Sequence, residues 1–420
     1  MLYSRRNFIK AGAIAAAGFA LLPPQFVSGA SPGNNVLVVI NLLGGNDGLN
    51  TVIPIAAGQY DKYRELRSTL AFDRDSLLPL NGEPDFALNP QMFAFQELFG
   101  NGKLAIINGV SVPEQAVGLF DHEAGQFEFQ TCDIVRNLTG PSSGWLGRYL
   151  DSVGDPAPGQ ISAGVDMGGG RLMLTGQSTS PVSINSISNF QLQVSYDETT
   201  RRQAYDRLMS IPNPSTAGER NRLLRIDALA QSEVIRNATD GYQPSFPYPE
   251  TYLGFQLQDC AKLIYGDVGA TALAVGIGGF DTHSAQNQGS EGQPGLHDSL
   301  LKDVSDSTGA FYQDLVNQGL SSRVLILTIS EFGRRAYENN DLGTDHGLAS
   351  IAFAAGDMVK GGLYGLYPDL NQLVLDGNLG MTNDFRSVYA TVLASFFGVD
   401  PQPILDPNQL YGDFETLGFL

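Results

Sequence analysis

A chain of 420 residues with 42% hydrophobic content is long enough to bury one large α/β core or two smaller ones. Forty-four acidic against 25 basic side chains give a formal charge of −19, a surface that repels phosphate backbones and excludes nucleic-acid binding. Two cysteines, Cys132 and Cys260, are too few for a disulfide framework or a structural zinc cluster, and either form one bridge or stay buried as small apolar residues.

Residues 1–30 read as an address. Ser4-Arg5-Arg6-Asn7-Phe8-Ile9-Lys10 is followed by a mildly apolar Ala/Gly run from Ala11 to Leu22, the pattern of a twin-arginine export signal. Gly12, Gly18 and Pro23-Pro24 interrupt the run, which is too short to anchor the chain stably in a membrane. Small residues at Ser28-Gly29-Ala30 suit a signal peptidase, so a mature chain of 390 residues starts near Ser31, and losing three positive charges takes −19 to −22. The predicted location is periplasmic or secreted, with the twin-arginine translocase as the partner during export.

Residues 31–420 carry no repeat or linker and are predicted to form a single domain. Apolar β-rich runs alternate with helical periodicity, as a mostly parallel central sheet flanked by helices requires. The first strand is Asn35 to Leu43, closed by Gly44-Gly45-Asn46-Asp47-Gly48; further strands are expected at Leu104 to Asn108, Ala272 to Ile277, Val324 to Ile329 and Ile351 to Ala354. Helices are expected at Asp121 to Val135, Glu219 to Ala238, Thr251 to Ile264, Leu296 to Val316 and Asp384 to Phe397. A Ser/Thr/Gly/Pro-rich run from Gly168 to Ser195 opens a cap or insertion segment around 168–250.

All four histidines lie within two positions of an aspartate: Asp121-His122, Asp281-Thr282-His283, His297-Asp298 and Asp345-His346. Imidazole with carboxylate is the donor set of a divalent metal site. On the expected frame Asp47 follows the first strand, Asp281 and His283 the third and Glu331 the fourth, while Asp345-His346 precedes the fifth. Ligands of open α/β sheets gather beyond the carboxyl ends of the strands, so the metal candidates are Asp47, Asp281, His283, Glu331, Asp345 and His346. Each has a plainer reading. Asp47 suits a strand-ending turn, Glu331 an ion pair with Arg334 or Arg335, Asp345-His346 a turn or helix cap, and Asp121 a helix cap with His122 packed behind it. His297 is expected on the surface of its helix.

Several runs resemble an exported bacterial family catalogued as domain of unknown function 1501. They are Leu42-Leu43-Gly44-Gly45-Asn46-Asp47-Gly48-Leu49-Asn50-Thr51, Gly279-Phe280-Asp281-Thr282-His283, Ser330-Glu331-Phe332-Gly333-Arg334, Glu338-Asn339, Gly343-Thr344-Asp345-His346-Gly347, Lys360-Gly361-Gly362-Leu363-Tyr364-Gly365 and Asp384-Phe385-Arg386-Ser387-Val388-Tyr389. That family is similar to the alkaline phosphatase and sulfatase superfamily, which implies an alkaline-phosphatase-like fold and one or two divalent ions at the sheet's carboxyl edge. By this resemblance Asp47, Asp281, His283 and His346 match ligands. Glu331 replaces a histidine, and only one residue separates Asp281 from His283, an oxygen-richer set that favours Mg, Mn or Ca over a pair of Zn ions. The resemblance also places the nucleophile at the start of the helix near residue 121, where this chain has Asp121 rather than a hydroxyl. Asp121 and His122 are therefore the catalytic candidates, with Thr51 and Ser111 as substitutes. The implied activity is periplasmic, metal-dependent hydrolysis of an anionic phosphate or sulfate ester. The alternative is an exported metal-stabilised binding or scaffold protein that recognises a glycan or protein.

Overall fold

The computed structural model describes residues 35–113, 116, 119–135, 143–154, 160–190, 198–287, 289 and 294–420; the expected export signal lies outside them. Its strands are β1 (Val36–Leu43), β2 (Val52–Pro54), β3 (Leu78–Leu80), β4 (Glu83–Leu88), β5 (Leu104–Ser111), β6 (Gly164–Asp166), β7 (Val182–Ser183), β8 (Ala272–Gly278), β9 (Val324–Ser330), β10 (Gly333–Arg334), β11 (His346–Gly347), β12 (Ser350–Ala355), β13 (Gly362–Tyr364) and β14 (Asn383–Asp384). Nine of them form the central sheet in the order β13-β5-β12-β9-β1-β8-β6-β7, with β14 also on β5. Every pairing is parallel except those of β12, which runs antiparallel to both β5 and β9. β2, β3 and β4 make a small separate antiparallel sheet, and β10 with β11 a two-stranded ribbon.

The five strands expected from sequence are β1, β5, β8, β9 and β12. They were legible because both faces are covered, so each is a nearly unbroken apolar run. In β1 the two-residue period sorts the side chains: Val36, Val38, Ile40 and Leu42 join a cluster with Leu257, Val304 and Phe311, while Leu37 and Val39 join Trp145, Tyr389 and Leu393 on the other face. Each fully buried aliphatic side chain contributes about 1.5–3 kcal/mol, which makes the middle of β1 intolerant of a polar substitution.

Helices Tyr252–Tyr265 and Leu296–Asn317 cover the first face, the former capped by Thr251, whose side chain accepts from the Gly254 amide. Trp145–Val153 and Phe385–Thr391 cover the second, with Trp145 stacked on Tyr389 at 4.3 Å between centroids. The helix His122–Thr131 opens on Asp121, whose side chain accepts from Ala124 N at 2.8 Å, and closes where Cys132 turns left-handed at φ 64°. Within the expected cap segment lie the edge strand β7 and the helices Glu198–Met209 and Thr216–Thr239. Cys132 and Cys260 are both buried and unpaired. Among the described residues no helix is long and apolar enough to cross a membrane.

The antiparallel course of β12 is not visible in its apolar pattern. Residues before a parallel strand would sit at the amino edge of the sheet, six residues or about 20 Å from the carboxyl edge. Reversed, β12 starts at the edge where β9 ends, so β10 and β11 lie there together.

Candidate metal centre

Three strand exits converge at that edge. Gly44, at φ +119°, is pressed so closely against the turn after β8 that a Cβ there would fall 2.3 Å from the Asp281 amide nitrogen; only glycine fits. Its own N–H donates to Glu331 Oε1 at 2.7 Å, tying the exit of β1 to that of β9. The buried Arg334 guanidinium fastens the rest. It donates to the carbonyls of Gly44, Gly45, Phe280 and Thr344 and reaches Asp281 Oδ1 at 2.5 Å.

Asp281 is the hub of a group of imidazoles. His346 Nε2 lies 3.0 Å and His283 Nε2 3.1 Å from its Oδ1, and His122 Nε2 lies 3.4 Å from its Oδ2. The two imidazole nitrogens His283 Nε2 and His346 Nε2 are 3.0 Å apart. His122, Asp281 and His346 each offer one ligand atom within 4.8 Å of the others. Partial burial would raise the Asp281 carboxyl, but the Arg334 guanidinium, hydrogen-bonded to its Oδ1, outweighs it and holds the group below the usual carboxylate range.

The opposite ring nitrogens decide the chemistry. His346 Nδ1 faces the Phe120 carbonyl at 2.7 Å, which can only accept, so Nδ1 carries the proton. His122 Nδ1 faces the buried Glu331 carboxylate at 3.1 Å, and His283 Nδ1 faces Asp345 Oδ1 at 3.3 Å. With each proton committed to Nδ1, three Nε2 lone pairs and a carboxylate point at one another. Acceptors face acceptors unless a cation lies between them, and this backing of metal-ligating histidines by carboxylate or carbonyl is characteristic of metal sites. The residues present therefore fit a divalent ion.

Of the residues singled out from sequence, Asp281, His283, His346 and His122 come together at this point. Glu331 and Asp345 stand one step back, each holding an imidazole. Among the described residues Glu331 takes no arginine partner; Arg334 pairs with Asp281 instead. Asp121 is the cap of its helix. Thr51 and Ser111 are buried, with the Thr51 hydroxyl donating to the Asp47 carbonyl. Among the described residues no hydroxyl or thiol hydrogen-bonds to a side chain of the cluster. Asn339, which in the sequence is only one member of the Glu338-Asn339 motif, donates its side-chain amide to the His283 carbonyl at 2.9 Å and to Asp345 Oδ1 at 3.1 Å. Phe332, whose ring lies 4.6 Å from that of His346 and 4.9 Å from that of His122, walls one side.

Asp47 does not join the cluster. Its two oxygens accept from Arg67 at 2.6 and 3.0 Å and from Gln286 at 2.6 Å in a fully buried ion pair. Burial would raise its carboxyl, and Arg67 more than offsets that, holding it at about 2. The expectation of a surface His297 is also corrected: its side chain is fully buried, with Nε2 3.1 Å from Asn46 Oδ1, and burial lowers it to about 4, so it is neutral at physiological pH. Its helix turns this face toward the exit of β1, a contact that helical periodicity alone does not reveal.

The sequence matches the family described as protein of unknown function DUF1501 over residues 34–408. No curated protein matches it. Among solved structures it is similar to the PsFucS1 sulfatase from Pseudoalteromonas sp. (13% identity, 95% of this chain and 72% of that one, TM-score 0.38). It is likewise similar to the phosphonate monoester hydrolase of Agrobacterium radiobacter (10%, 90% and 78%, 0.40) and the lipoteichoic acid synthase LtaP from Listeria monocytogenes (8%, 88% and 73%, 0.35).

Proposed function

The chain belongs to the DUF1501 family, and from that premise we propose that it is an exported, metal-dependent hydrolase of phosphate or sulfate esters. The observation that carries this reading is the convergence of the Nε2 atoms of His122, His283 and His346 on Asp281. His122, Asp281 and His346 would hold one divalent ion. The nitrogen-rich set shifts the preference from Mg or Ca toward Zn or Mn. When bound, the ion would polarise an ester oxygen and stabilise developing negative charge.

The chain's own groups fall into roles around it. Glu331 and the Phe120 carbonyl hold two rings with Nε2 forward. Arg334 occupies one oxygen of Asp281 and leaves the other for the ion. His283, nearly half exposed and backed by Asp345, is placed to accept or return a proton at Nε2. Among the described residues no hydroxyl or thiol joins the cluster, and on this reading water attacks the ester directly. The same observation favours one second reading, an exported protein that binds the ion and recognises a glycan or protein without turnover.

The test is metal analysis of protein purified without chelator, followed by assays on 4-nitrophenyl phosphate and 4-nitrophenyl sulfate. Stoichiometric metal with turnover that His346→Ala abolishes is the expected result. Metal without turnover moves the assignment to the binding protein, and absence of any metal affinity overturns both. Export is tested by fusing residues 1–30 to a folded reporter, whose periplasmic delivery should disappear when Arg5 and Arg6 become lysines.

A further inference from the structure

Beneath the cluster lies a buried layer of polar groups that touches no ligand atom. Gln286 is fully buried at its centre. Its Nε2 donates to Asp47 Oδ2 at 2.6 Å, while its Oε1 accepts from Thr282 Oγ1 at 2.9 Å and Thr344 Oγ1 at 2.7 Å. The amide orientation is fixed by its neighbours, because the ionised Asp47 carboxylate can only accept. Thr282 sits between Asp281 and His283; Thr344 precedes Asp345 and His346. The two threonines are also joined directly, Thr344 N to the Thr282 carbonyl at 3.1 Å. Asp47 in turn is locked by Arg67, which donates to the carbonyls of Ala336 at 2.7 Å and Arg335 at 2.9 Å.

We propose that Gln286 is a positioning residue that sets the spacing between the two ligand-bearing loops, Asp281–His283 and Asp345–His346, and through it the metal affinity of the site. This rests on the metal reading above and adds a residue outside the cluster to it. Each loop presents a hydroxyl to the same amide oxygen, so the distance between the loops is held by two hydrogen bonds sharing one acceptor. The Asp47–Arg67 pair holds that amide against β1 and the ribbon β10–β11. Groups hydrogen-bonded directly to metal ligands change affinity by about 10- to 100-fold when removed, and Gln286, one residue further out, is expected at the low end of that range.

The experiment titrates Co2+ into the metal-free full-length protein, its Thr344→Val, Thr344→Ser and Gln286→Met variants, and follows the visible absorption of the bound ion. Thr344→Val keeps the shape and removes one of the two hydrogen bonds, whereas Thr344→Ser keeps the hydroxyl. The expected result is about 10-fold or more weakening and an altered Co2+ spectrum for Thr344→Val and Gln286→Met, with Thr344→Ser within about twofold of the parent. Circular dichroism and unfolding midpoints of the metal-free forms separate this from misfolding. Should Gln286→Met fail to fold, the valine and serine pair at Thr344 decides alone. Parent-like affinity and spectrum for Thr344→Val overturn the proposal while leaving the metal reading intact, as does equal loss in Thr344→Ser. A parent protein that does not bind Co2+ overturns the metal reading first.

Discussion

Replacing Asp47 with alanine separates two roles that the sequence leaves open, metal ligand and structural ion pair. In the structure the substitution strands a fully buried Arg67 guanidinium whose carboxylate partner is gone. An uncompensated buried charge costs about 3–5 kcal/mol. The titration of Asp47 gives a lower figure: a carboxyl held at about 2 against an ordinary 3.8 is worth about 2 kcal/mol. The mutational value is the larger because it includes the arginine left behind. Since the folded carboxyl is depressed, its contribution is fully present above about pH 4 and is lost as pH falls from there through about 2. Urea unfolding at pH 7 should therefore show a loss of about 3 kcal/mol or more for Asp47→Ala, shrinking as the parent itself loses the pair on acidification. A double variant, Asp47→Leu with Arg67→Met, should recover much of the loss, because a matched apolar pair avoids the desolvation of both ions. An Asp47→Ala protein with unchanged unfolding at pH 7 and no metal affinity would refute this reasoning and make Asp47 a ligand.

Other outcomes follow from the same geometry. Gly44→Ala drives a methyl into the Asp281 amide; a loss of about 2 kcal/mol or more by urea unfolding is expected, together with weaker Co2+ binding. Glu331→Gln weakens the hold on His122 Nδ1 and should lower Co2+ affinity by about 10-fold with little change in fold, measured by titration and circular dichroism. Cys132 and Cys260, buried and with thiols pushed up, Cys132 to about 12, should resist a thiol reagent in native buffer and react only after unfolding.

Much of this architecture was legible in the chain, for identifiable reasons. β1, β5, β8, β9 and β12 announce themselves because doubly covered strands are apolar throughout, and the helix ends near Asp121 and Thr251 follow from capping side chains. Strand order sends Asp281 and His283 toward the carboxyl edge, whereas His346 stands out by its Asp-His pairing and reaches that edge only because β12 is reversed. What the sequence hides is who else arrives. The partner of Asp47 is Arg67, twenty residues on in a stretch without a strong pattern, and nothing local distinguishes a carboxylate facing a metal from one facing a guanidinium. Glu331 and Asp345 have the chemistry of ligands, yet lie one imidazole too far back. The burial of His297 depends on the angle at which its helix meets the sheet, which periodicity does not specify.

The reversed strand also bears on how the chain spends its length. A parallel β12 would require the segment after β9 to cross the whole sheet, typically through a helix of a dozen or more residues. Because β12 is antiparallel, the nineteen residues from Glu331 to Ala349 stay at one edge. Within that stretch fall Glu331, Phe332, Arg334, Asn339, Thr344, Asp345 and His346. A connection that in a fully parallel fold would serve only as transit is here available for chemistry, and variation in its length between relatives would reshape the rim of the site without threading anything through the core.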